Sequence, residues 1–142
     1  MDNAKIVNAV SRQPQTSRSK NLFNKDTVTR DAFIRYFSGE VAHSSAGNFA
    51  TDFIPVEPET YYVIKNGRNA QNAGTSFYDK DKAIISGVQT ASFMTPEDCY
   101  FIRTTVNISD YLTAQVEKGK VSTSYEAYRT VDTLKRLQSA KI

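Results

Sequence analysis

Apolar and polar positions exchange over short distances through most of the chain, and helical periodicity is nearly absent. In residues 27–44, "TVTRDAFIRYFSGEVAHS", Val, Ile, Phe and Tyr mix with polar residues and form no helical stripe. Ser38, Gly39 and Glu40 interrupt the run as a turn, so the stretch predicts a hairpin. Pro55 and Pro58 exclude a regular central strand through residues 48–60, because proline cannot donate to a sheet ladder. Tyr61, Tyr62, Val63 and Ile64 predict a strand that stops at Asn66 and Gly67, a strong turn pair. "TSFYDKDKAIIS" predicts strand, charged turn, strand, with the tip at residues 79–82. Pro96 predicts a turn before one strand from Tyr100 to Val106, and "YLTAQVEKGK" gives a last strand closed by Gly119. Short strands spaced about 8–12 residues apart, with Gly, Asn, Asp and Pro between them, predict an all-β antiparallel sandwich or barrel. No βαβ alternation occurs, which argues against a doubly wound nucleotide-binding fold.

The two ends differ from this middle. Residues 1–20 are polar, with Lys5, Arg12, Arg18 and Lys20 and one apolar cluster, Ile6, Val7 and Val10. This N-terminal arm reads either as a flexible tail or as an arm that orders on a partner through that cluster. In residues 129–142, Val131, Leu134 and Leu137 recur every three residues, which predicts a short amphipathic C-terminal helix with a narrow stripe. A helix that short holds only when packed. Its stripe suits a seam with a neighbouring subunit better than a cap on its own domain. The expected organisation is therefore an arm (1–20), a β-sandwich (21–128) and a helix (129–142).

Composition adds bounds. The chain has 142 residues, enough for one domain, and its 8 Phe and 8 Tyr supply bulky core material. Lys and Arg total 18 against 15 Asp and Glu, a net charge of +3, and outside the ends they are scattered. A nucleic-acid binder concentrates its basic residues on one element, so no direct nucleic-acid contact is expected. No apolar run reaches the ~20 residues of a membrane span, and the N-terminus lacks the apolar region of a secretory signal, so a soluble protein that does not contact membrane is expected. Cys99 is the single cysteine and cannot form an intrachain disulfide. It is expected to pack as a small apolar residue, and as a nucleophile it would need the single histidine, His43, as its base.

Candidate chemistry is sparse. There is no Gly-rich phosphate loop, no His-Glu-x-x-His and no cysteine pair, so neither cofactor, metal nor catalytic residues are expected, and the chain is read as a non-enzyme. Asp79 and Asp81 suit a hairpin tip better than a hard-cation loop. Asp52 and Glu117 sit beside apolar stretches and read as local hydrogen-bond acceptors rather than catalytic acids. Tyr36, Tyr61, Tyr78, Tyr111 and Tyr125 are expected to be largely core, with hydroxyls at the rim. The polar loop "KNGRNAQN" and the small-residue loop "VAHSSAGN" carry the inventory of a sugar site: Tyr36, His43, Asn66, Arg68, Asn69 and Asn72.

Five segments in order, "KNLFNKDTVT", "FATDFIPVEPETYYVI", "SFYDKDKAIISG", "FMTPEDCYFIRTTV" and "AQVEKGKVSTSYEAY", together resemble a β-sandwich module common in tailed-phage virion proteins and in prophage tail and baseplate proteins. Those modules look similar to carbohydrate-binding jelly rolls. The resemblance spans residues 20–128. It implies that "NLFN" opens the module as a strand, with Leu22 and Phe23 buried and Asn21 and Asn24 holding the turns at either end. It implies that Arg103 reaches a carboxylate, Asp52 or Glu117. Such modules often sit in long fibre chains, whereas here one stands between a basic arm and a short helix. The implied function is a bacteriophage structural protein, assembled in the host cytoplasm and resident in the virion as a decoration, fibre-base or adaptor subunit. It would form a dimer or trimer and contact other virion proteins of the capsid, portal or tail. The assembly residues would be Ile6, Val7, Val10, Val131, Leu134 and Leu137. The other reading is a glycan-binding receptor-recognition module for host or mucosal sugars. An accessory domain of a polysaccharide-degrading enzyme fits less well, since no catalytic-domain length is present.

Overall fold

A computed structural model describes residues 19–130 of the chain. The arm residues Ile6, Val7 and Val10 and the helix residues Val131, Leu134 and Leu137 lie outside the described residues.

The described residues form antiparallel sheets joined by loops and two short 3-10 turns, Lys25–Thr27 and Ile108–Thr113. The strands in chain order are Thr29–Arg30 (β1), Ala32–Ile34 (β2), Val41–His43 (β3), Phe49–Ala50 (β4), Ile54–Pro55 (β5), Tyr61–Lys65 (β6), Thr75–Tyr78 (β7), Ile84–Val88 (β8), Ser92–Met94 (β9), Phe101–Arg103 (β10), Thr105–Val106 (β11) and Gln115–Lys118 (β12). Two larger sheets, ordered β5-β10-β7-β8 and β12-β6-β9, are accompanied by β1-β4-β11 and by the hairpin β2-β3. Ile54, Phe77 and Ile102 from one large sheet and Tyr62, Ile64, Phe93 and Val116 from the other share a single core with Phe23, Phe49, Cys99 and Val106. The driving force is the removal of these rings and branched chains from water.

The predicted hairpin about Gly39 forms, with Ala32 opposite His43 and Ile34 opposite Val41. Gly39 adopts φ +73°, the left-handed region that a side chain disfavours. Pro55 stands on β5, at the edge of its sheet, where a missing N–H costs nothing. The 79–82 tip is held by the Asp79 carboxylate, which accepts from the N–H groups of Asp81 and Ala83 at 2.9 Å each. That is the side-chain-to-backbone closure expected of an Asp-led turn.

Several details differ from the sequence expectation. The strand expected from Tyr100 to Val106 is split at Thr104, which passes the chain from β10 to β11 in another sheet. The kink is stabilised by buried threonines: the Thr104 N–H donates to Thr51 Oγ1 at 3.0 Å, and the Thr75 and Thr104 hydroxyls meet at 2.6 Å. Thr105 Oγ1 accepts from the Ile34 N–H at 2.9 Å and donates to the Gly74 carbonyl at 3.1 Å, tying the small hairpin to the larger sheet. Tyr111 and Leu112 lie in a 3-10 turn rather than a strand, because Asn107 caps that turn by accepting from the Ser109 N–H. Of the tyrosines expected in the core only Tyr78 is fully buried; Tyr36 and Tyr111 are half-buried, and Tyr61 and Tyr125 are exposed. Tyr62 takes the core position instead of Tyr61, as strand alternation requires.

Among the described residues Arg103 reaches no carboxylate, neither Asp52 nor Glu117. Its Nε donates to the Thr51 carbonyl at 3.0 Å, and its guanidinium lies 4.7 Å from the centre of the Phe53 ring, which Lys82 approaches at 5.0 Å. A flat cation on an aromatic face replaces the expected ion pair. Asp52 accepts from the neighbouring Phe53 N–H, and Glu117 is committed to Thr123.

Glu117 and Gln115 are buried polar residues on the outward face of β12. They are covered because residues 122–126 fold back over that face. Gln115 Nε2 donates to the carbonyls of Thr123 and Ser124, its Oε1 accepts from the Glu126 N–H, and Glu117 accepts from both the N–H and the hydroxyl of Thr123. Burial pushes the Glu117 carboxyl upward, but the Thr123 and Gln115 bonds and the nearby Lys20 charge together outweigh it and hold the pKa below the ordinary carboxylate value. A depressed folded pKa contributes stability that is complete above the unfolded value, near 4.5, and is lost as pH falls through the folded value. Glu117→Gln is therefore expected to lower stability at neutral pH and to flatten its decline below about pH 4.5, read from urea midpoints across an acid pH series. A parallel decline in the variant would place the acid sensitivity elsewhere.

Cys99 is fully buried in the core, and its thiol points at the Phe101 carbonyl, 3.4 Å away. Burial raises its pKa and removes nucleophilic thiolate. In native buffer it should label with iodoacetamide at least ~100-fold more slowly than in denaturant, as expected when reaction needs an opening event. Rapid native labelling would contradict this packing.

Candidate functional site

Two surfaces stand out, and the first answers what "NLFN" does. It forms no assigned strand. The segment runs along β12, with the Leu22 N–H donating to the Val116 carbonyl at 2.8 Å. Phe23 is buried in the core while Leu22 is half-buried against it. Asn24 caps the 3-10 turn by accepting from the Asp26 N–H at 3.0 Å. Asn21 is 1% exposed. Its Oδ1 accepts from the N–H groups of Phe23 (2.9 Å) and Val116 (3.2 Å), and its Nδ2 donates to the carbonyls of Ala114 (3.2 Å) and Glu126 (2.9 Å). One amide thus joins the start of the described chain, the last strand and the returning segment. The join continues outward: the Lys20 N–H donates to Glu126 Oε2 at 2.8 Å, and the Arg129 N–H donates to Ser19 Oγ at 2.9 Å. Both ends of the described chain therefore leave from one place.

The second surface is an open cleft of about 130 Å³ between the β2-β3 hairpin with its following 44–48 turn and the 68–73 loop. Its wall includes Phe33, His43, Ser44, Asn48, Arg68 and Asn72. The turn is shaped by the Ser44 N–H donating to the Asp31 carbonyl at 2.9 Å, by Gly47 at φ +79°, and by the Asn48 amide donating to Ser44 Oγ at 3.4 Å. The loop is fixed by its backbone. The Arg68 N–H donates to the Thr105 carbonyl at 2.9 Å, the Asn72 carbonyl accepts from the Tyr36 N–H at 3.2 Å, and Gln89 Nε2 donates to the carbonyls of Gln71 and Ala73. Arg68 and Asn72 are thus carried on a loop whose main chain is held at several points.

Of the six residues proposed for sugar binding, His43, Arg68 and Asn72 line this cleft; Tyr36, Asn66 and Asn69 do not. Asn66 sits at φ +63° and donates to the Asp110 carbonyl and to Thr113 Oγ1, holding the 3-10 turn in place. Tyr36 packs edge-on against Phe37, and the Oδ1 of Asn69 is buried without a hydrogen-bond partner among the described residues. Phe33, Ser44, Ser45, Asn48 and Gln71 join the site without having been read from the sequence. Ser44, Ser45 and Asn48 lie in "VAHSSAGN" and Gln71 in "KNGRNAQN", Phe33 lies in neither loop, and nothing local says that the two loops meet.

No hydrogen bond among the described residues joins His43 to Ser44, Ser45 or a carboxylate, and His43 and Cys99 are not brought together. Among the described residues no group of three or more His, Cys, Asp or Glu is placed to hold a metal ion. What the cleft offers is amides, hydroxyls, an imidazole, a guanidinium and an aromatic edge, which is binding chemistry. No family model, characterised protein or solved structure matches the chain.

Proposed function

We propose that the chain is a structural subunit of a tailed-phage particle, displaying a jelly-roll-like β-sandwich and attached to capsid, portal or tail neighbours by its terminal segments. The observation that carries this reading is the joint exit of both chain ends, clamped by Asn21, Glu126 and Ser19. Two tethers leaving from one place can hold a module at one end and leave its other loops free. The five ordered sequence segments and the all-β architecture support the same reading. In solution the terminal segments would also mediate dimer or trimer formation. The test is the mass of the full chain beside that of residues 19–130. The full chain should be an oligomer and the shorter one a folded monomer. Two monomers, or two oligomers of equal order, would remove the assembly role from the terminal segments.

A second reading, that the displayed module binds host or mucosal glycans, draws on the meeting of His43, Arg68 and Asn72 in one cleft. The cleft shares no lining residue with the grooves around Phe23 and Tyr128 near the chain ends, so attachment and ligand binding use different surfaces. A single sugar contact near ~1 mM is only about −4 kcal/mol. Several copies on a particle raise the effective affinity by avidity.

A further inference from the structure

We infer that the cleft takes an acidic saccharide, with the sugar carboxylate paired to the Arg68 guanidinium; this rests on the glycan-binding reading and specifies its ligand. Sugar hydroxyls are both donors and acceptors, and a site for neutral sugars gains most from a carboxylate that accepts from them. This cleft has none: no Asp or Glu is among its lining residues. Its fixed charge is Arg68, and among the described residues the ion pair within 4.0 Å is Lys118–Glu57, on other elements. Arg68 therefore presents a planar fork that no carboxylate among the described residues binds. Around Arg68, Asn72, Asn48 and the two serines supply neutral donors and acceptors for hydroxyls, and half-buried Phe33 supplies an apolar surface for a ring face.

Titration calorimetry on the full chain tests this with tri-galacturonate, its methyl ester and poly-glutamate. The ester keeps the sugar and removes the charge, and poly-glutamate keeps the charge and removes the sugar. Tri-galacturonate should bind with a Kd near ~1 mM, at least ~10-fold tighter than either control, and should weaken with added salt. Arg68→Gln should lose about 10-fold or more in affinity, because a charge-assisted bidentate contact is removed, at an unchanged melting temperature. Arg68→Lys should recover only part, having charge without the fork. Equal binding of acid and ester would overturn the acidic class while leaving the glycan reading standing. Binding of neither would overturn both. Equal binding of poly-glutamate, or wild-type affinity in Arg68→Gln, would mean attraction to a basic surface rather than a site, and would overturn the inference.

Discussion

Gly87→Ala is expected to unfold the domain or lower its stability by about 3 kcal/mol or more, beyond the usual cost of one extra methyl in a packed region. Gly87 lies on β8, where the backbone at the turn of the β2-β3 hairpin crosses the sheet. A methyl group there would overlap the Tyr36 carbonyl oxygen outright, and would stand 2.6 Å from the Tyr36 carbonyl carbon and 2.8 Å from the Thr75 carbonyl oxygen. All three are main-chain atoms, so no rotamer change relieves the clash. The contact matters because Ser76 Oγ donates to the carbonyls of Arg35 and Tyr36, and the Tyr78 hydroxyl donates to that of Gly39. These bonds seat the hairpin, and the hairpin carries Phe33 and His43 into the cleft. Thermal unfolding checks the claim: a fall of about 10 °C or more is expected for a domain of this size. Gly119→Ala is the control, since open space surrounds that position and its φ of +124° leaves only local backbone strain. If Gly87→Ala melts with the parent chain, the close crossing of hairpin and sheet is wrong.

Asn21→Ala is expected to cost about 3–4 kcal/mol, since buried groups left unpaired cost about 1–3 kcal/mol each and some regain water. The substitution strips partners from the N–H groups of Phe23 and Val116 and from the carbonyls of Ala114 and Glu126. Asn24→Ala, three residues on, removes only the cap of a short exposed turn and should cost about 0.5–1 kcal/mol. The contrast is informative because the two asparagines bracket one motif. Hydrogen exchange adds a local readout: in Asn21→Ala the amides of residues 122–129 should lose protection first, as the join between the chain ends opens. Equal costs at the two positions would contradict the clamp.

The strand-rich class, the hairpin about Gly39, the 79–82 tip and the exclusion of a central strand at Pro55 were legible because each rests on local chemistry: turn residues, alternation and a missing donor. What the sequence hid was non-local. Nothing in "FIRTTV" marks Thr104 as the point where the chain changes sheets; that depends on Thr51 and Thr75 arriving beside it from elsewhere. Arg103 read as half of an ion pair because charge is visible in sequence and a facing ring is not; Phe53 took the place that Asp52 was given. Tyr61 and Tyr62 are adjacent, and only the register of β6 against β9 and β12 decides which one is buried. The cleft was half legible. Its two loops were identifiable from polarity, yet their meeting follows from the Arg35–Ala73 bridge. Asn66 lies outside the cleft and holds the 3-10 turn, and an amide that holds a turn looks the same in sequence as one that holds a ligand.

If, as proposed, this module rides on a phage particle held by its two terminal segments, it is a component of purified virions. The direct measurement is the composition of particles induced from the host that encodes the chain, purified by density gradient and quantified by mass spectrometry, with antibody labelling under the electron microscope. The chain is expected in a fixed, multi-copy ratio to the major capsid or tail protein, with antibodies against residues 19–130 labelling the intact surface. Particles that form normally and contain none of it would rule out a virion role for this chain.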